Sequence, residues 1–261
     1  MSGQVNVIGL GPGSQDLLAP VARQTLRRAH VILGYRTYLD LIADIAPETP
    51  RRASGMRAEV DRAREALQLA GEGHTVVVVS SGDPGIYGMA GLLFEMREQS
   101  LLDVEITVLP GISALNAAAS LLGAPLMTDF AVISLSDQLV PLEEITRRLD
   151  MTAQTDFILC LYNPKGKKRV KPFEQACRIL LTHRKPETVV GIVRKAYREG
   201  QEVKLVRLAD LPDCDIDMLT VILIGNDKTG IIDGKMVTPR GYGNKYDIGK
   251  GNAYGQDQKS A

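Results

Sequence analysis

Three glycines, a proline and an aspartate stand together in "SSGDPGIYG", residues 80–88, at the end of the apolar run "TVVVVS". Gly82, Gly85 and Gly88 allow positive φ and a close approach of main chain to a ligand. Asp83 precedes Pro84 and is biased toward extended backbone, which exposes its N–H and carbonyl. Such a loop at the carboxyl end of a strand can hold the polar ends of a small molecule. The same residues also suit a plain turn with Asp83 capping the helix that follows. "LPGISALNAAAS" repeats the pattern, with Gly111, Ser113 and Ala114 small enough for a ligand or for tight helix–sheet contact.

"GLGPGSQD", residues 9–16, sits where a dinucleotide fingerprint would. The fit is poor. Ser14 takes the place of the third glycine, and Pro12 removes an N–H from the loop that should donate to phosphate. No acid follows the second strand near Tyr35 to take a ribose hydroxyl. A nicotinamide dehydrogenase and a Rossmann-type methyltransferase are disfavoured; a tight strand-to-helix turn is the other reading. P-loop, H-E-x-x-H and G-x-S-x-G patterns are missing, as is a Ser/His/Asp set. "LYNPKGKKRVK" carries Lys165, Lys167, Lys168, Arg169 and Lys171, and "IVRKAYR" adds Arg194 and Lys195. These are solvated loops or contacts to a polyanion.

Bulk properties narrow the classes. Lys plus Arg equals Asp plus Glu at 31 each, so no net positive field gathers nucleic acid or an anionic membrane. Tryptophan is absent and aromatics are 5% of the chain, too few for a single-strand stacking platform. Cys160, Cys177 and Cys214 are far apart and odd in number, which suits reduced thiols in the cytoplasm. With three scattered histidines, no metal centre is expected. No apolar run is long enough for a membrane span, and no signal peptide is expected.

These residues must be positioned by strands and helices that alternate. "QVNVIGL", "HVILGY", "TVVVVS" and "VEITVLP" read as strands. "DLLAPVARQTLRRA", "RAEVDRAREALQLAGEG", "GMAGLLFEMREQ" and "SALNAAASLLG" read as helices, the first with Leu17, Leu18, Val21, Ala22 and Leu26 on one face. Unbroken apolar strands predict a mostly parallel sheet covered on both faces. A second series starts at "DFAVISLSD" and includes "PLEEITRRL", "TDFILCLYN", "KPFEQACRILLTHR" and "TVVGIVRKAY". "QEVKLVRLADL" and "LTVILIGN" then read as antiparallel partners. The fold class is α/β, with two α/β domains, 1–123 and 124–242, and a cleft between them as the ligand site. Residues 243–261 are expected to be a disordered tail.

Taken together, "VIGLGPGSQDLL", "SSGDPGIYGMAGL" and "LPGISALNAAASLLGAPL" resemble, in order and spacing, the tetrapyrrole methylase family of class III methyltransferases. The resemblance runs over residues 5–242. "GYRTYLDLI", "SGDPGIYG", "DFAVISLSD" and "LYNPKGKKR" are similar to the branch that methylates carbon 17 of precorrin-3B. It implies S-adenosylmethionine as cofactor, a corrin precursor (precorrin-3B or cobalt-factor III) as substrate, ring contraction, cobalamin biosynthesis and a homodimer. It implies cofactor contacts at Gly82, Asp83, Ile86, Tyr87, Ser113, Ala114, Tyr162, Asn163, Lys195, Ala196, Thr220 and Val221. The loop of Gly11, Pro12, Gly13 and Ser14 is similar to one that borders the tetrapyrrole, where Pro12 costs nothing because no phosphate is held. Arg36, Lys167, Arg169 and Arg194 become candidate partners for the substrate's carboxylates. Asp83 and Lys195 are the candidates for proton handling. Three alternatives stay open: a sister methylase acting at another corrin carbon, an RNA or diphthamide methylase, and a non-catalytic small-molecule binding protein.

Overall fold

The computed structural model describes residues 3–55, 57–100 and 102–248. The first half builds β1 (Gln4–Gly9), α1 (Pro20–Arg28), β2 (Val31–Tyr35), α2 (Arg36–Asp40), β3 (Arg51–Ser54), α3 (Glu59–Gly71), β4 (Thr75–Ser80), α4 (Ala90–Ser100) and β5 (Glu105–Leu109). Its sheet has the order β3-β2-β4-β1-β5, with every pair parallel. The uninterrupted valines of β4 follow from this. Val76 and Val78 pack with α3 and α4, while Val77 and Val79 pack with α1 and α2 on the other face.

The second half supplies α5 (Ala114–Leu122), β6 (Gly123–Ala124), β7 (Phe130–Ser134), α6 (Leu142–Ala153), β8 (Ile158–Tyr162), α7 (Lys171–His183), β9 (Val189–Arg194), β10 (Glu202–Arg207), β11 (Thr220–Ile224), β12 (Gly230–Ile232) and β13 (Lys235–Val237). Its main sheet has the order β10-β9-β11-β8-β7. A small sheet joins β12, β13 and β6.

Three details differ from the sequence expectation. The first predicted helix starts late: a 3-10 turn covers Gln15–Leu17 and α1 begins at Pro20, whose missing N–H suits a first helical position. Val21 is consequently exposed, while Leu18, Ala22 and Leu26 are buried. β10 and β11 do not pair with each other; each lies antiparallel to β9, one on either side. Glu202, Lys204 and Arg207 make β10 a charged edge strand, and β11 is buried throughout. Finally, α5 lies against the second sheet. Its Leu115, Ala118, Ala119 and Leu122 pack with Cys160, Val193, Val221 and Leu223. The expected division at 123 and 124 falls at β6, so the packing passes from one sheet to the other before it.

Where the expected tail begins, Tyr242–Asn244 forms a 3-10 turn and Tyr246 N donates to the Tyr242 carbonyl at 2.9 Å. Residues 249–261 lie outside the described residues. Among the described residues no helix is long and apolar enough to cross a membrane, and no cluster of His, Cys, Asp and Glu could hold a metal ion.

Candidate active site

The parallel strands of the first sheet deliver the loops after β1, β4 and β5 to one end, and their glycines interlock. Gly11 and Gly82 exchange backbone hydrogen bonds of 3.1 and 2.8 Å. A Cβ on Gly9 would lie 2.6 Å from the Gly82 carbonyl oxygen, and one on Gly111 only 2.2 Å from it. Gly82 itself has φ of +64°, a conformation that disfavours any side chain. Asp83 locks the arrangement. One carboxylate oxygen accepts from Gly85 N at 2.8 Å and the other from Gly111 N at 3.1 Å. The residue is therefore a tie between the β4 and β5 loops.

Facing these loops are the ends of β8, β9 and β11. The two sides enclose a cleft of ≈ 920 Å³, its open mouth included. All twelve residues expected at the cofactor line it: Gly82, Asp83, Ile86, Tyr87, Ser113, Ala114, Tyr162, Asn163, Lys195, Ala196, Thr220 and Val221. A broader trough shares Asp83, Ile86 and Ser113 with the cleft and continues over Leu17, Pro20, Pro110 and Ile112.

Two tyrosines join the halves. Tyr87 Oη donates to the Val132 carbonyl at 3.2 Å, and Tyr162 Oη accepts from Leu115 N, in the first turn of α5, at 2.6 Å. Their ring centroids are 5.4 Å apart at 56°. Burial raises the pKa of both. The nearby Cys160 adds to the effect at Tyr162, which reaches about 12. Both phenols keep their protons at neutral pH. Ser113 Oγ caps α5 by accepting from Asn116 N at 3.2 Å.

The expected substrate residues separate. Pro12 lines the cleft, Gly11 is bonded to Gly82, and Gly13 and Ser14 turn toward Leu41, Ile42 and Ile45. Arg36 and Lys167 do not line the cleft. Arg169 points inward instead: it donates to the Leu135 carbonyl at 2.5 Å and the Asn163 carbonyl at 2.8 Å, and Asp137 lies 3.8 Å away. It shapes the wall rather than offering a free charge. Arg194 is held by Asp217 at 2.8 Å and Glu202 at 2.9 Å, whose hydrogen bonds raise its pKa. Sequence reasoning missed Tyr38, Ser81, Val193, Arg198, Met218 and Leu219, which also line the cleft. Arg198 lay within the basic stretch, but nothing in the wording separated it from Arg194.

Comparison with known proteins agrees with this architecture. The profile of the tetrapyrrole (corrin/porphyrin) methylases matches residues 4–212. The cobalt-factor III methyltransferase of Priestia megaterium is 45% identical over 252 residues, 95% of this chain and 47% of that protein. The chain thus spans about half the length of that relative. The probable cobalt-factor III C(17)-methyltransferase of Salmonella typhimurium is 42% identical over 238 residues, 91% of this chain and 99% of that one. The crystal structure of the methyltransferase CobJ superposes with a TM-score of 0.85 at 42% identity, covering 91% of this chain and 100% of that one. With the matching profile extending over most of its length, and relatives of this identity aligned to nearly all of it, the chain belongs to the tetrapyrrole methylase family.

Proposed function

We propose that the chain methylates carbon 17 of precorrin-3B or cobalt-factor III, with the associated ring contraction, using S-adenosylmethionine in cobalamin biosynthesis. One observation carries the reading. A single cleft at the strand ends gathers all twelve residues expected at the cofactor, in a chain 42% identical over 91% of its length to a probable C(17)-methyltransferase.

The cleft suits such a cofactor. Left-handed Gly82 leaves main chain bare beside Ser113 and Ala114, where a Cβ would stand 3.5 Å from Ala114 N. Ile86, Val193, Val221 and the two tyrosine rings give apolar surface for a purine, while Ser113, Asn163 and Thr220 supply polar atoms. When bound, the cofactor supplies a methyl group already activated by its sulfonium.

What the chain then contributes is alignment and exclusion of water. Tyr87 and Tyr162 wall the cleft as neutral groups, so they add no charge near a cation. Asp83 has both oxygens bound to N–H groups, which ties its charge to the loops. That leaves Lys195, on the second wall, as the group we assign to proton handling during ring contraction. The broad trough beyond Ile86 offers area to a flat macrocycle. The division into two units, the pairing of like chains and a cytoplasmic location belong to the same proposal.

The test is mass spectrometry of purified protein incubated with S-adenosylmethionine and, separately, precorrin-3B and cobalt-factor III. Gain of one methyl at carbon 17 of either supports the reading and identifies the substrate. Cofactor binding with no methylation of either overturns the carbon-17 assignment.

A further inference from the structure

The charged side chains that line the cleft are Asp83, Lys195 and Arg198. The aspartate is already engaged, because its two oxygens accept from Gly85 N and Gly111 N. The two cations stand on the second wall, and among the described residues neither has a carboxylate partner. Nearby arginines differ in this respect. Arg194 is paired with Asp217 and Glu202, and Arg169 has Asp137 at 3.8 Å. The cleft therefore carries positive charge that the chain itself does not neutralise.

Arg198 is fixed in place by neutral groups. Its Nε donates to the Pro12 carbonyl at 2.5 Å and its Nη2 to Ser81 Oγ at 2.8 Å. Its Nη1 has no acceptor among the described residues. A Cβ on Gly13, whose φ is +141°, would lie 2.7 Å from both Cγ and Nε of Arg198, so the β1 loop leaves room for the arginine stem. At the other end of the side chain the backbone is tied. Arg198 N donates to the Lys195 carbonyl at 3.0 Å, and Gln201 N donates to the Arg198 carbonyl at 3.1 Å. A guanidinium held at both ends needs little further ordering to receive a ligand.

A cation whose partners are all neutral gains most from an anion. Hydrogen bonds from guanidinium to carboxylate are roughly twice as strong as those between neutral groups, and the planar fork matches a carboxylate in shape. Phosphate fits less well, because Pro12 offers the cleft a carbonyl and no N–H. Both reactants named above carry carboxylates: the cofactor at its amino-acid end, and the corrin precursor on its acid side chains. We propose that Arg198 binds a ligand carboxylate in the cleft, with Lys195 adding positive charge to the same wall. The proposal rests on the functional reading above and deepens it by naming the group that recognises the ligand's acid.

The experiment compares the full chain with Arg198→Gln and Arg198→Lys. Calorimetry gives Kd for S-adenosylhomocysteine and for 5′-methylthioadenosine, which keeps the nucleoside and the sulfur but lacks the amino-acid end. Absorbance titration at stepped salt gives Kd for precorrin-3B and cobalt-factor III without requiring turnover. If the carboxylate is the cofactor's, glutamine weakens S-adenosylhomocysteine about tenfold and leaves 5′-methylthioadenosine within about twofold. If it is the macrocycle's, both nucleoside ligands keep their Kd, while the tetrapyrrole binds about tenfold more weakly and with a flatter salt dependence. Either result supports the proposal and identifies the source. Lysine, which keeps the charge, recovers part of the loss in both cases. Equal weakening of S-adenosylhomocysteine and 5′-methylthioadenosine would overturn the proposal and leave Arg198 as a spacer between the walls. Glutamine binding every ligand as well as lysine does would also overturn it. Wild-type protein that binds both reactants but transfers no methyl group sinks the functional reading alone, and the titrations still decide the role of Arg198. Wild-type protein that binds neither sinks both.

Discussion

Asparagine at position 83 keeps the shape of aspartate and changes one of its two contacts. In the structure both carboxylate oxygens accept backbone N–H groups, from Gly85 at 2.8 Å and Gly111 at 3.1 Å. The amide of Asp83→Asn can accept only one of them. Its NH2 then faces the other N–H, donor against donor. Asp83→Ala removes both bonds. A hydrogen bond to a charged group contributes about 1.5–3 kcal/mol, and the exposed Gly85 bond is credited with about half of that. The alanine variant should lose about 3 kcal/mol and the asparagine variant about half as much. At about 2–4 °C per kcal/mol for a chain of this size, Tm falls by about 6–12 °C for alanine. Because the bonds fix the β5 loop at one edge of the cleft, affinity for S-adenosylhomocysteine should fall about tenfold in parallel. Thermal unfolding followed by circular dichroism, with calorimetric titration, reads both. The reasoning is refuted if Asp83→Asn matches the wild type in Tm and in affinity yet loses turnover. The carboxylate would then act on the reaction itself.

Other perturbations separate frame from chemistry. Gly111→Ala places a Cβ 2.2 Å from the Gly82 carbonyl oxygen, so a backbone must move; we expect folded protein with S-adenosylhomocysteine binding lost in calorimetry, and retained binding would contradict the interlock. Tyr162→Phe leaves Leu115 N at the start of α5 without its acceptor, and Tm should fall by the equivalent of about 1–3 kcal/mol while the ring still walls the cleft. On the alkaline side, Cys177 is raised from 9.0 to about 12 and Tyr162 from 10.0 to about 12, both chiefly by burial. Folded pKa values above the unfolded ones mean that the unfolded chain loses protons first. Stability is therefore full below pH 9 and declines as pH rises from about 9 toward 12, which denaturant titrations at stepped pH should display.

The legible parts of the fold were those whose cause is local. A run such as "TVVVVS" needs apolar neighbours on both faces, so it announces a covered parallel strand, and the glycines after it announce a loop that approaches something closely. The cleft-lining residues became legible together only through the family wording. What stayed hidden depended on distant partners. Arg194 and Arg198 look alike in "IVRKAYREG", yet one finds Asp217 and the other finds Pro12 and Ser81. The helix "ALNAAASLL" has small apolar residues that would fit either sheet, and nothing in it says that its contacts are Cys160 and Val193. Strands of two or three residues, such as β6 and β12, carry too little pattern to be read.

The backbone adds an argument that side chains alone do not. Six described residues other than glycine have positive φ, and three of them, Tyr87, Asn163 and Lys195, line the cleft, with Tyr197 beside it. A left-handed non-glycine residue costs roughly 1 kcal/mol or more, and glycine at these positions would avoid most of it. Each is instead held by contacts that need its side chain or its exact peptide plane. Tyr87 reaches Val132, and Asn163 Nδ2 donates to Ser134 Oγ at 3.0 Å while its carbonyl accepts from Arg169. Lys195 N donates to the Leu219 carbonyl at 2.9 Å. The strain sits at the ends of β4, β8 and β9, on both walls of one hollow. A chain that stores conformational energy at three facing loops, and fastens each, has its geometry fixed there at the expense of stability. That is the expected arrangement when catalysis consists of aligning two reactants rather than of supplying a nucleophile.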